Sequence, residues 1–194
     1  MTIRRRNGFS LIEAAIVLGL IGLVVGGIWA AAASSRASTQ ANQLQQQTLN
    51  LVKGVRDYYA ARALPAAGSI TTTLAGKGRF PEEMCPANCV SAAAANFPYT
   101  VYNAYGGTTT ATIPNVTTYP NQFTVTYSSV DEKGCVQLGM NLSARSAEVG
   151  LVSYTASTGG SGTARTTFPI PLATIQGDCA ATGNQILLYF KIRN

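Results

Sequence analysis

Glu13 is the only charged side chain between Arg6 and Arg36, and it sits at the start of an otherwise apolar run that reaches Ala33. A run of about 20 or more apolar residues is long enough to cross a bilayer as a helix. Arg4, Arg5 and Arg6 precede it, and the bias of basic residues toward the cytoplasm puts that end inside and the rest of the chain outside. A carboxylate in a membrane helix costs roughly 2.5–3.5 kcal/mol at the centre, less near the interface, and implies a partner. A cut after Gly8 would create one, because Phe9 would gain a free amino group. Opposite charges attract strongly in low dielectric, so that group and Glu13 of a neighbouring copy would neutralise each other.

A short basic leader ending in Gly8, followed by Phe9-Ser10-Leu11-Ile12-Glu13 and a long apolar helix, resembles the class III signal of type IV pilins and of type II secretion pseudopilins. The resemblance implies that a prepilin peptidase cuts after Gly8 and methylates the amino group of Phe9, and that Glu13 is needed for assembly. Two plainer readings compete. Arg4 to Arg6 with Ala31-Ala32-Ala33 before Ser34 also suit an ordinary secretory signal, which would release a soluble periplasmic domain. Against it, the apolar stretch exceeds the usual h-region of about 7–15 residues, and a glutamate at its start serves no purpose there. The other is a simple signal anchor.

With leader and membrane helix set aside, about 130 of the 194 residues remain, enough for one domain with a proper core. The formal charge is +6, but without the three leader arginines 11 basic face 8 acidic side chains, a charge of +3. No basic run with interleaved aromatics occurs in the head, which argues against direct nucleic-acid binding. The absence of histidine removes Ser-His-Asp and Cys-His catalysis and every His-containing metal site. Glu82-Glu83 and Asp131-Glu132 are the adjacent acidic pairs, and both read as solvated or helix-start charge. No catalytic constellation and no cofactor motif emerge, so an enzyme is not expected.

The helical signal runs from Phe9 without proline until Pro65. Gly22 and Gly26 form a GxxxG pattern that would let another helix approach closely, although glycine is common in membrane helices generally. Beyond Ala33 the sequence turns polar while the period persists. Leu44, Thr48, Leu51, Val52, Val55, Tyr58 and Tyr59 mark one face, and Gln43, Gln46, Asn50, Lys53 and Asp57 the other. One helix of some 50 residues, about 75–80 Å long, is expected, its first half in membrane or filament core and its second against the head. Pro65 and Gly68 end it, and an irregular stretch to about Ala95 follows, with a short helix near Pro81–Met84.

Short strands are expected at 99–102 and 108–113, around a turn at Asn103–Gly107. Phe123–Tyr127 alternates cleanly as a strand. Asp131 suits the start of a short helix carrying Cys135, Leu138 and Leu142, although Val136 to Leu142 also fits a strand pattern. Val149–Thr155 reads as another strand, 158–163 as a glycine-rich loop, and Ile186–Ile192 as a final strand lying in the sheet against the long helix. Cys85, Cys89, Cys135 and Cys179 are even in number in a head expected outside the cytoplasm, which favours disulfides with three possible connectivities. An all-cysteine zinc site is disfavoured because no second close pair follows Cys85 and Cys89.

The order of the Asn103–Gly107 turn, the Phe123-x-Val-x-Tyr127 strand, Cys135 in a helix and Cys179 ahead of Asn184-x-Ile-x-Leu-x-Phe190 resembles the type IVb pilins, particularly those of thin conjugative pili. That resemblance implies a Cys135–Cys179 bridge and leaves Cys85 and Cys89 as the other pair. It also implies an α+β pilin fold: leader 1–8; a long helix over 9–62, transmembrane over 9–33 and amphipathic beyond; and an antiparallel sheet head over 63–194. Such a chain would wait in the inner membrane with a periplasmic head, then polymerise with itself into a helical surface filament. A prepilin peptidase, an assembly ATPase, a platform protein and an outer-membrane secretin would be its partners. A pseudopilin or minor pilin is the nearest alternative.

Overall fold

The computed structural model describes residues 10–85, 100–158, 162–179 and 183–193. The chain divides into two compact units, Met1–Ser38 and Thr39–Asn194. Helix α1 spans Leu11–Tyr59. In the first unit its side chains are exposed from Leu11 to Arg36.

In the second unit α1 is amphipathic, as the period requires. Leu44, Thr48, Leu51, Val52, Val55 and Tyr59 are buried, joined by Ala41 and Gln47. Gln43, Gln46, Asn50, Lys53 and Asp57 stay exposed, while Tyr58 is only half-buried. The elements that follow are β1 (Gly68–Ser69), α2 (Thr71–Gly76), a 3-10 turn at Glu82–Met84, β2 (Val101–Tyr102), β3 (Thr108–Ile113) and β4 (Gln122–Val130). After these come α3 (Glu132–Ala144), α4 (Ser146–Val149), β5 (Leu151–Ser157), α5 (Leu172–Asp178) and β6 (Asn184–Lys191).

Among the described residues, six strands form one sheet in the order β1-β3-β4-β6-β5, with β2 also on β3 and every pairing antiparallel. The last strand thus lies inside the sheet, between β4 and the edge strand β5. Its inward residues Ile186, Leu188 and Phe190 stand opposite Tyr127, Val125 and Phe123 of β4, and all six are fully buried. Fully burying such a side chain stabilises by roughly 1.5–3 kcal/mol, against about 1 kcal/mol for a typical hydrogen bond. These rows therefore hold the sheet, and Phe123 and Phe190 add a stacked contact at 5.5 Å.

The Asn103–Gly107 turn explains its own residue types. The Asn103 side chain accepts from the amides of Tyr105 (2.8 Å) and Gly107 (3.2 Å) and donates to the Ser128 carbonyl (2.8 Å). Gly106 has φ +76°, where a side chain is strained, and a Cβ on Gly107 would run into the Ser128 carbonyl.

Several sequence expectations need correction. The stretch after Pro65 is not irregular throughout: β1 and α2 form there. The three threonines of α2 favour strand over helix, so the sequence carries no helical signal. The helix forms because Ile70, Leu74 and Ala75 are buried and the Thr71 hydroxyl bonds both the amide and the carbonyl of Ala111. A Cβ at Gly54 would lie 2.7 Å from the Arg79 carbonyl oxygen, so only glycine lets this segment pack onto α1. The strand expected from Val149 begins at Leu151, because Gly150 closes α4 in the left-handed conformation. Helix α5 forms in a stretch for which no element was expected. The strand expected at 99–102 appears as Val101–Tyr102; residue 99 falls outside the described residues, as does part of the glycine-rich loop.

Candidate functional site

The exposed first stretch of α1 gathers the features that matter. Leu11 is 86% exposed, Leu23 76% and Trp29 69%. Large apolar side chains this exposed need a lipid or protein environment, and α1 holds a stretch long and apolar enough to cross a membrane.

Glu13 sits in the first turn, exposed, and its Oε2 accepts from the Ser10 backbone N–H at 3.1 Å. This is the return half of a capping box, in which a residue three positions into the helix satisfies an otherwise orphan amide. Ser10-x-x-Glu13 is the capping-box spacing, a local signal present in the sequence beside the lone charge. Glu13 thus has a local task in the single chain. Gly8 and Phe9, the expected cleavage and methylation residues, lie outside the described residues. At Gly22 and Gly26 an added Cβ would meet nothing within 4 Å among the described residues.

In the head, α3 begins as its sequence suggested: Asp131 caps it by accepting from the Gly134 amide at 2.6 Å. That helix carries Cys135 to Cys179 at the end of α5, and the two are joined in a disulfide with Cα atoms 5.8 Å apart. The pairing implied by resemblance is the one observed. The Tyr154 hydroxyl lies between the sulfurs, 3.4 Å from Cys135 Sγ and 3.3 Å from Cys179 Sγ. Burial, then the charge of Asp178, raises its pKa well above the usual tyrosine value, so it stays a neutral phenol. Asn184, buried at the start of β6, donates to the carbonyls of Val130 (3.3 Å) and Cys179 (3.4 Å), tying the bridge to the sheet centre. Cys85 is disulfide-bonded, while Cys89, its expected partner, lies outside the described residues.

Comparison with known proteins gives these features a context. Residues 3–32 match the model of the prokaryotic N-terminal methylation motif. The fold resembles the crystal structure of a type IVb pilin from Salmonella typhi, with a TM-score of 0.56 and 19% identity, covering 79% of this chain and 98% of that one. No curated protein matches by sequence. A class III signal, an exposed apolar helix and a six-stranded antiparallel head define a type IV pilin, the structural subunit of a pilus. Residues 31–190 match the PilS N terminal model, and the chain belongs to that family. Its precursor is anchored in the membrane and the pilus is assembled at the cell surface. Family and fold are structural rather than catalytic, and homopolymerisation after prepilin peptidase processing accords with the motif.

Proposed function

We propose that this pilin is the subunit of a type IVb pilus, cut between Gly8 and Phe9, methylated on Phe9, and drawn from the inner membrane into a helical homopolymer through Glu13. The observation that carries the reading is a single carboxylate at the start of a helix whose apolar side chains stand exposed among the described residues. In the bilayer, lipid covers them; in the filament, the same helices of other copies would. Glu13 would then pair with the Phe9 amino group of a neighbour, and Gly22 and Gly26 would allow close helix approach. Residues 1–8 act as leader, 9–33 as the membrane segment of the long helix, which closes at Tyr59 rather than at the expected residue 62, and 63–194 as the head. The assembly ATPase, platform protein and secretin are partners by family resemblance.

Amino-terminal sequencing of the mature chain, with electron microscopy of producing cells, tests the proposal. A mature protein starting at methylated Phe9 in surface filaments is the expected result. A chain starting at Ser34, or one that forms no filaments, overturns it.

A further inference from the structure

Two Asn-x-Ser/Thr triplets occur in this sequence, Asn115-Val116-Thr117 and Asn141-Leu142-Ser143. Such a triplet is the acceptor pattern for sugar attachment to an asparagine amide, and it requires an exported, accessible segment. The head is exported, so accessibility decides between the two.

The structure separates them sharply. Asn141 lies inside α3, and its Nδ2 donates to Gln45 Oε1 at 2.6 Å. The next two residues, Leu142 and Ser143, are each 2% exposed. A transferase could reach this triplet only by unfolding α3 beside the Cys135–Cys179 bridge.

Asn115 is placed in the opposite way. It stands in the β3–β4 connection, where residues 115–120 are all exposed. Its Oδ1 accepts from the Thr117 amide at 2.9 Å and its carbonyl from the Tyr119 amide at 2.8 Å, so the turn holds the side chain by its oxygen. Among the described residues its Nδ2, the atom that would be modified, has no hydrogen-bond partner. Val116 and Tyr119 flank it with 41% and 39% exposure, apolar surface that an attached sugar would shield. The Tyr119 ring rests on Tyr189 at 5.3 Å, which seats the turn against the outer face of β6.

We propose that Asn115 is an N-glycosylation site, modified by a transferase that uses a diphosphate-activated sugar. Nδ2 forms a bond to the anomeric carbon while the bond from that carbon to the diphosphate oxygen breaks. The diphosphate leaves with the electron pair, and the amide proton passes to a base on the transferase. No redox partner is needed.

Peptide mass spectrometry of the chain isolated from its native producing cells tests this. The expected result is a glycan mass on the peptide holding Asn115 and none on the peptide holding Asn141. Asn115→Gln and Thr117→Ala should each abolish the added mass, whereas Thr117→Ser and Asn141→Gln should retain it. Filament formation by the same cells shows that each variant is folded and exported, so processing is judged separately. An unmodified Asn115 peptide from wild-type cells overturns the proposal, as does a mass that survives Asn115→Gln.

Discussion

Arg56 and Arg193 exchange carbonyl contacts across the join between the long helix and the last strand. Arg56, on α1, donates to the Lys191 carbonyl at 3.0 Å and the Val149 carbonyl at 2.8 Å. Arg193, just beyond β6, donates back to the carbonyls of Tyr59 (3.2 Å), the last residue of α1, and of Arg62 (2.8 Å), in the turn that follows it. These acceptors include helix-terminal carbonyls, which lack a partner within their helix and favour a cation. Burial lowers the pKa of Arg56 from its usual value, yet an arginine remains protonated in proteins. Arg56→Ala should destabilise the head by about 2 kcal/mol, since hydrogen bonds from charged groups contribute roughly 1.5–3. Arg193→Ala, more exposed, should cost about 0.5–1 kcal/mol. Urea denaturation of a soluble head fragment from residue 39 onward would check both the values and their order.

Thr48 and Tyr127 make an asymmetric pair. Their hydroxyls, both fully buried, share a hydrogen bond of 2.9 Å, and the Thr48 hydroxyl also donates to the Leu44 carbonyl at 2.7 Å. Burial raises the Tyr127 pKa well beyond the usual tyrosine range, so it acts as a neutral phenol. Tyr127→Phe leaves Thr48 with its carbonyl and should cost about 1 kcal/mol. Thr48→Val strands a buried phenol and should cost more, about 1–3 kcal/mol. Combining the two should cost less than the sum of the single changes. Additive values would show that the hydroxyls do not act as a pair.

Removing the Cys135–Cys179 bridge should be the most damaging change among the cysteines. It closes a chain separation of 44 residues, for which the chain-entropy estimate is roughly 4 kcal/mol. The Cys135→Ser, Cys179→Ser variant should melt earlier and be lost to proteolysis before assembly. A Cys85–Cys89 bridge would close about five residues and contribute about 2 kcal/mol on the same estimate, so its loss should be milder. Peptide mapping of unreduced protein should find Cys85 joined to Cys89; Cys85 found on another partner would refute that assignment.

Glu13 has two roles that one substitution separates. Glutamine retains the side-chain oxygen that accepts from the Ser10 amide, as the capping box permits, but it removes the charge. Glu13→Ala removes both. If the carboxylate neutralises a neighbour's amino group, Glu13→Gln and Glu13→Ala should both insert normally and both fail to grow pili. If capping alone matters, Glu13→Gln should assemble like wild type. Counts of surface pili on cells producing each variant distinguish the two.

Local patterns carried much of this protein in its sequence. The amphipathic face of α1, the alternation of Phe123, Val125 and Tyr127, the Asp131 cap and the Ile186–Ile192 alternation each repeat within a few residues, so periodicity exposes them. The Asn103–Gly107 turn is legible because its conformation demands those residue types. Helix α2 was not legible, because its stability comes from burial against distant neighbours and overrides the propensity of its threonines. The capping bond of Glu13 was legible in Ser10-x-x-Glu13, but the carboxylate's position in an apolar run suggested charge pairing first.

By itself, the sequence determined that the chain has an anchor with one acidic residue, a helix that changes from apolar to amphipathic, and a strand-rich head with four cysteines. These follow from composition and short-range period, which any stretch carries wherever it ends up. Tertiary structure alone decided that the last strand is inserted between β4 and β5, that Arg193 caps a helix ending 134 residues earlier, and that Asn115 rather than Asn141 is accessible. The physical reason is common to all three: each depends on which surfaces meet when distant segments bury their apolar faces together, and no local pattern encodes that meeting.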